Sequence, residues 1–370
     1  MKNRSFEELV QLFNNNRFNE IEADINGIRF LKLRTISRKE TLIEIATLSK
    51  LDIKKLTTSN QIFKLLFESS KITEDAIRNY IIWKYESERA RRSREEENPI
   101  NEMYQLEIFD WGGSNGNSLE KNIVNNYVKK IKSYQEINNA VEGKLLHSLR
   151  GYTLNSWYNH WTSILIEDIF KDHQIVLPTV GLVKKIDFFI QNIPFDLKVT
   201  YFPEAFMKQK LKEYEYGVEL TQIKKICREL ELSIPKDLKD DALKRLLLQK
   251  LKESQREEAR IFINHLNSLK KEIINNSIKN PNELKIWLYE NQGEMRFDAS
   301  NRFFLILVNE SNLSDSWKLK RNISFLREKI DKHLNSILLT NLETKFHWKK
   351  DNKNYYCKSD ILFIKFNENN

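Results

Sequence analysis

The chain has 370 residues, with 61 Lys and Arg against 52 Asp and Glu, a net charge of +9. That length predicts more than one domain, and the basic balance favours an anionic partner, nucleic acid first. No apolar run reaches the roughly 20 residues of a spanning helix, and Met1 to Glu8 has no signal-peptide core, so a cytoplasmic protein without a membrane partner is expected.

In chain order, the first 95 residues predict a mainly helical domain, with a short extended piece at Ile28 to Leu33. Within it, two amphipathic segments, Glu40 to Leu48 and Ser59 to Ser69, are joined by Leu51-Asp52-Ile53. The charged run Ser87 to Glu97 predicts a solvated helix end or linker, and Gly112 to Asn117 a flexible loop, with the linker placed over 96–118. Helix is predicted from Leu119 to His173, with Trp157, Tyr158, Trp161, Leu165 and Phe170 marking a buried stretch. Three strands follow, Ile175 to Val180, Lys185 to Ile190 and Phe195 to Tyr201, the last two forming a hairpin across Gln191 to Pro194. A helical insertion is predicted over about 205–290, then a strand at Arg302 to Val308, a helix at Ser316 to Leu338 and a strand region at Tyr355 to Phe366. The fold class is therefore α/β, a mixed sheet flanked by helices over 119–370, with the helical domain ahead of it. Cys227 and Cys357 are too few for a disulfide framework, and the histidines lack zinc-ligand spacing.

A shift of 181 positions superposes Leu42, Ala46, Leu51, Ile53, Ile62 and Leu66 on Ile223, Cys227, Leu232, Ile234, Leu243 and Leu247 without a gap. Each copy reads as helix, extended link, helix. Over about 30 residues it resembles a SAP-type or Rho-N-type module, which implies nucleic-acid binding. Helical cores of this size also repeat apolar spacings readily.

The chemistry concentrates in Ile186-Asp187-Phe188 through Phe195-Asp196-Leu197-Lys198-Val199. Strand side chains alternate, so Asp196 and Lys198 share a face while Leu197 and Val199 take the other. A turn near Asn192 brings Asp187 level with residues 196 to 198. Two carboxylates suit a hard cation such as Mg²⁺, and a lysine beside them suits the charge of a phosphodiester under attack. A structural ion cluster would carry the same letters. Against it stands the apolar setting of Ile186, Phe188, Phe189, Ile190, Phe195, Leu197 and Val199, in which charges need a purpose.

This segment resembles the PD-(D/E)XK nucleases, the superfamily of many type II restriction endonucleases, with Ile186 in place of the family's proline. The resemblance spans about Leu145 to Phe366. It implies a restriction-endonuclease-like core, Mg²⁺ as cofactor, double-stranded DNA as substrate, and Asp187, Asp196 and Lys198 in the site. It also implies an acid on the preceding helix, with Glu167 the candidate metal ligand and Asp168 its competitor. A restriction endonuclease cutting both strands of a palindrome would act as a homodimer. A repair, mobile-element or abortive-infection nuclease, or a non-catalytic DNA-binding protein, are the alternatives. Glu204 and His160 are weaker candidates for the site's edge. Arg296 to Asp298, Trp317 to Arg321, Lys345 to Lys350, and Lys184 with Lys185 are candidate walls of a DNA cleft.

Overall fold

A computed structural model describes residues 2–109, 123–181, 186–236, 238, 240–291, 300–337, 342–348 and 352–367. The Gly112 to Asn117 loop, Lys184 and Lys185, the Arg296 to Asp298 cluster, and Lys349 and Lys350 lie outside the described residues.

The N-terminal region is a helical assembly in which polar residues start the helices. Ser5 and Glu8 form a capping box on Phe6–Asn14, Thr58 and Gln61 another on Ser59–Glu68, and Thr73 caps Glu74–Ser93. Their apolar stripes meet around Leu9, Phe30, Leu42, Ile45, Phe63, Leu66 and Ile77, and this core also takes in Ile186 and Phe189 from the sheet. The expected extended piece at Ile28 to Leu33 is instead the helix Gly27–Arg34. Burial of Phe30, Leu31 and Leu33 drives it, and Arg29 donates to the carbonyls of Leu66, Phe67, Ser69 and Ile72 at the end of a neighbouring helix.

The run Ser87 to Glu97 holds the end of the helix Glu74–Ser93 and is largely exposed, as expected, except at two arginines. Arg89 and Arg92 project from Glu74–Ser93 onto Asp172 and Asp168, carboxylates of a helix and its cap far along the chain. The predicted helix over Leu119 to His173 is broken. It comprises Tyr134–Ala140 and the long helix Leu146–Lys171, with π-type turns at Val124–Val128 and Val141–Leu145.

Among the described residues the sheet is mixed and six-stranded: β1 (Val176–Pro178), β2 (Phe188–Ile190), β3 (Ile193–Tyr201), β4 (Arg302–Asn309), β5 (Glu343–Trp348) and β6 (Lys353–Phe366), in the order β1-β2-β3-β4-β6-β5. β1, β2 and β3 run antiparallel, whereas β3, β4 and β6 are parallel. Every residue of β4 is buried, because strands lie on both sides and helices on both faces. One face, with Leu197, Val199, Phe303 and Leu305, packs on Ile166, Ile169 and Phe170 of the long helix and on Leu326 and Ile330. The other, with Phe304, Ile306 and Val308, packs on Phe206, Leu211, Ile273, Leu284 and Leu288. The helices Glu204–Glu213, Glu257–Lys279 and Pro281–Asn291 thus supply the sheet's second layer.

The helix predicted over Ser316 to Leu338 is a 3-10 segment, Leu313–Arg321, followed by Ile323–Ser336, because the Asn322 side chain accepts from Phe325 N and starts a new helix. Strand β5 was not legible in advance. Among the described residues no helix is long and apolar enough to cross a membrane.

The two segments related by the 181-residue shift share backbone detail. Leu51 N donates to Ala46 O at 3.0 Å and Leu232 N to Cys227 O at 2.8 Å. Lys50 and Glu231 both take positive φ, 52° and 56°, to close the first helix. The second copy has a separate core around Ile223, Cys227, Leu243, Leu247 and Ala259.

Candidate active site

The β2–β3 connection is a two-residue turn in which Gln191 and Asn192 take φ of 46° and 68°, matching the twist of the strands it joins. Phe188 pairs with Phe195, and Asp187 N donates to Phe195 O at 2.8 Å, so Asp187 stands at the foot of the hairpin. Thr179 Oγ1 donates to the Asp187 carbonyl at 2.7 Å and fixes it from the β1 side. The Asp187 carboxylate turns inward: its Oδ2 accepts from Leu197 N at 2.7 Å, the amide midway between Asp196 and Lys198.

Asp196 is only 4 % exposed. Lys198 Nζ donates to its Oδ1 at 2.6 Å, and Arg302 Nε lies 3.9 Å from its Oδ2, which has no hydrogen-bond partner among the described residues. The Arg302 guanidinium rests on the Tyr289 ring, 4.7 Å from its centroid. Desolvation, then the charges of Glu167 and Asp196, push the Asp187 carboxyl up to about 7 against the pull of Leu197 N–H and Lys198. Glu167 is half-buried and held by Lys171 at 2.5 Å. Asp187 therefore lies within electrostatic reach of both Glu167 and Asp196.

The two acids competing on the long helix are separated by their surroundings. Asp168 accepts from Arg92 Nη2 at 2.7 Å and from Tyr85 Oη at 3.3 Å, which turns it toward the N-terminal helices. Glu167 is the one whose charge Asp187 feels. Glu204 is exposed and pairs with Lys208, and His160 is exposed beside Trp161; neither joins the hairpin residues in a hydrogen bond.

Sequence reading missed the residues that support Asp196. Asn301 O accepts from Asp196 N at 2.9 Å, while its side chain donates to Pro194 O and Glu22 Oε1 and accepts from Lys358 N. Burial raises the proton affinity of Glu22, which reaches in from the helix Phe18–Glu22. The N-terminal helices come close here too, since a Cβ on Gly181 would lie 2.4 Å from Thr35 O. The only local sign was a charge, Arg302, opening an apolar strand.

The Trp317 to Arg321 cluster is not a cleft wall. Trp317, Leu319 and Lys320 are buried, and Arg321 Nη1 donates to the carbonyls of Met103, Tyr104 and Leu106. Lys320 donates to Asn159 Oδ1 at 3.0 Å, and desolvation pushes its ammonium down to about 8. The unfolded chain keeps that proton to about 10.5, so between about 8 and 10.5 the unfolded state binds more protons and stability rises with pH. Lys320→Met is expected to raise stability at pH 7 by about 1–3 kcal/mol and to flatten that rise. Urea unfolding at pH 7 and at pH 9.5 measures both, and an unchanged pH slope counts against the assignment.

Among the described residues, no group of three or more His, Cys, Asp or Glu side chains is already arranged to hold a metal ion. Lys171 draws Glu167 and Lys198 draws Asp196 instead. The donor chemistry nevertheless suits a hard divalent cation: Asp187 feels the charges of Glu167 and Asp196, and the Asp196 Oδ2 atom is buried with no hydrogen bond among the described residues. Comparison with protein-family models, with curated proteins and with solved structures returns no match.

Proposed function

We propose that this chain is a Mg²⁺-dependent endonuclease that hydrolyses phosphodiester bonds of double-stranded DNA, of the PD-(D/E)XK kind, and within it a type II restriction endonuclease. The observation that carries the reading is the seating of the Asp187 carboxylate on the amide of Leu197, the middle residue of Asp196-Leu197-Lys198. It gathers an acid, a second acid and a lysine at one point of the hairpin. The succession of long helix, antiparallel β1 to β3, then parallel β4 supports it as well.

In this reading Asp187 and Asp196, with Glu167, hold the cation, which when bound polarises the scissile phosphate and acidifies a water. Lys198, about one-third exposed, holds the attacking water in place and balances charge building on the phosphate. Arg302 and Asn301 keep Asp196 in position. Cutting both strands of a palindrome calls for a second copy of the chain, which sedimentation on a cognate duplex would reveal.

The closed Lys198 to Asp196 ion pair favours a second reading, a DNA-binding protein whose hairpin charges are structural. Incubating plasmid and unmethylated phage DNA with Mg²⁺ separates the two. Discrete fragments are expected for a restriction endonuclease, and a smear for a nuclease of another pathway. Intact DNA on every substrate leaves only the binding reading.

A further inference from the structure

The helix Phe18–Glu22 docks on the sheet at two points. Asn19 Nδ2 donates to the Tyr356 carbonyl of β6 at 2.5 Å, and three residues on, Glu22 meets Asn301 and Lys358. The Glu22 side chain is 11 % exposed; its Oε1 accepts from Asn301 Nδ2 at 2.8 Å, and its Oε2 lies 3.7 Å from Lys358 Nζ. Asn301 is buried and uses every polar group of its side chain. Besides Glu22, its amide donates to Pro194 O at 3.1 Å, and its Oδ1 accepts from Lys358 N at 2.8 Å. Its backbone carbonyl accepts from Asp196 N. One residue thus holds β3 on both sides of Phe195, and the next, Arg302, faces Asp196 Oδ2 at 3.9 Å.

We propose that Glu22 is a positioning residue for Asp196, acting through Asn301, and that the N-terminal helices thereby form part of the hairpin site. Without Glu22, one N–H of a buried amide lacks its acceptor, and such a group reorients or draws in water to regain one. Either movement loosens the hold on the Pro194 carbonyl or the Lys358 amide, and with it the strand segment that carries Asp196. A displacement of about 1 Å at a group that must hold a cation is enough to cost turnover. The other acid has support from the same side, since Ile186, next to Asp187, and Phe189 are buried in the core of the N-terminal helices. Both acids of the hairpin therefore depend on helices outside the sheet. The catalytic consequence rests on the nuclease reading, whereas the hold on Asp196 does not.

The test is hydrogen exchange followed by mass spectrometry on the full chain without Mg²⁺, beside steady-state DNA cleavage with it. In Glu22→Ala, peptides covering Pro194 to Val199 are expected to exchange about tenfold faster, the effect of one lost buried hydrogen bond. Peptides from Ser59–Glu68 and from the separate core around Ile223 are expected to keep their wild-type rates. Turnover is expected to fall about tenfold, with KM for DNA unchanged. Glu22→Gln keeps an acceptor for Asn301 Nδ2, and the partly exposed Lys358 ammonium is able to swing away from the new amide, so this variant is expected to restore both rates. If Glu22→Ala does not fold, Glu22→Asp, which keeps a charge near Lys358 but falls short of Asn301, is expected to show the same two losses. Wild-type exchange at Pro194 to Val199, an equal rise in Ser59–Glu68, or Glu22→Gln behaving as Glu22→Ala each overturns the proposal. Faster local exchange with full turnover removes Glu22 from catalysis and leaves the nuclease reading standing. Faster local exchange with no cleavage even by the wild type sinks the nuclease reading alone.

Discussion

Lys198→Ala is expected to reduce Mg²⁺-dependent DNA cleavage about 10²- to 10³-fold, the usual effect of removing one group aimed at developing charge. DNA binding measured in EDTA should be unchanged. Lys198 is a cleaner probe than Asp196. Its side chain is 32 % exposed and ends on Asp196 Oδ1 at 2.6 Å, so its removal leaves a carboxylate still faced by Arg302. Asp196→Asn removes the negative charge between Lys198 and the buried Arg302, and breaking a buried ion pair from one side costs about 3–5 kcal/mol. Loss of activity in that variant therefore mixes chemistry with folding, and its urea midpoint must be read beside its cleavage rate. Full cleavage by Lys198→Ala, with its circular dichroism unchanged, removes Lys198 from the mechanism.

Glu167→Ala and Asp168→Ala, one residue apart, are expected to fail in opposite ways. Asp168 is buried and receives Arg92 Nη2, Arg92 Nε and Tyr85 Oη. Its loss leaves the Arg92 guanidinium without its carboxylate between the helices Glu74–Ser93 and Leu146–Lys171, while Tyr85 Oη keeps its 2.8 Å bond to Asp172. We expect about 2–3 kcal/mol of lost stability, toward the lower end for buried pairs because Arg92 is about one-third exposed. Cleavage per folded molecule should survive. Among the described residues Glu167, one-third exposed, pairs with Lys171, a largely buried lysine that keeps the Thr179 carbonyl as acceptor when Glu167 is gone, so its removal should cost no more than about 1 kcal/mol. It should nevertheless impair cleavage, since its charge reaches Asp187. A silent Asp168→Ala or an unfolded Glu167→Ala reverses the assignment of the two acids.

The helix starts at Ser5, Thr58 and Thr73 follow from capping chemistry written within four residues. So does the β2–β3 hairpin, whose turn and alternation bring Asp187, Asp196 and Lys198 together over a dozen positions. These are local interactions, and their partners are near in sequence. The repeat at 181 residues was visible as spacing, and the matching turns at Lys50 and Glu231 add a backbone likeness that spacing alone does not carry.

What tertiary structure decided has the opposite character. Ile28 to Leu33 alternates well enough to pass for a strand, yet closure of a phenylalanine-rich core makes it helix. Charges at Arg89 and Arg92 looked solvated because Asp168 and Asp172 lie some 80 residues away in the chain. Trp317 to Arg321 looked like a surface for phosphates, but the linker at Met103 to Leu106 and the long helix cover it. The alignment of Arg302 with Asp196 comes from parallel pairing of β3 and β4, strands separated by about a hundred residues of chain. Thus sequence alone determined the local hairpin and its three charged groups, because turn geometry and side-chain alternation act between neighbours. Tertiary structure decided that Asp168 is taken up by Arg92 and Tyr85 and that Asn301 and Arg302 steady Asp196, because burial and long-range pairing depend on segments that meet only in the folded chain.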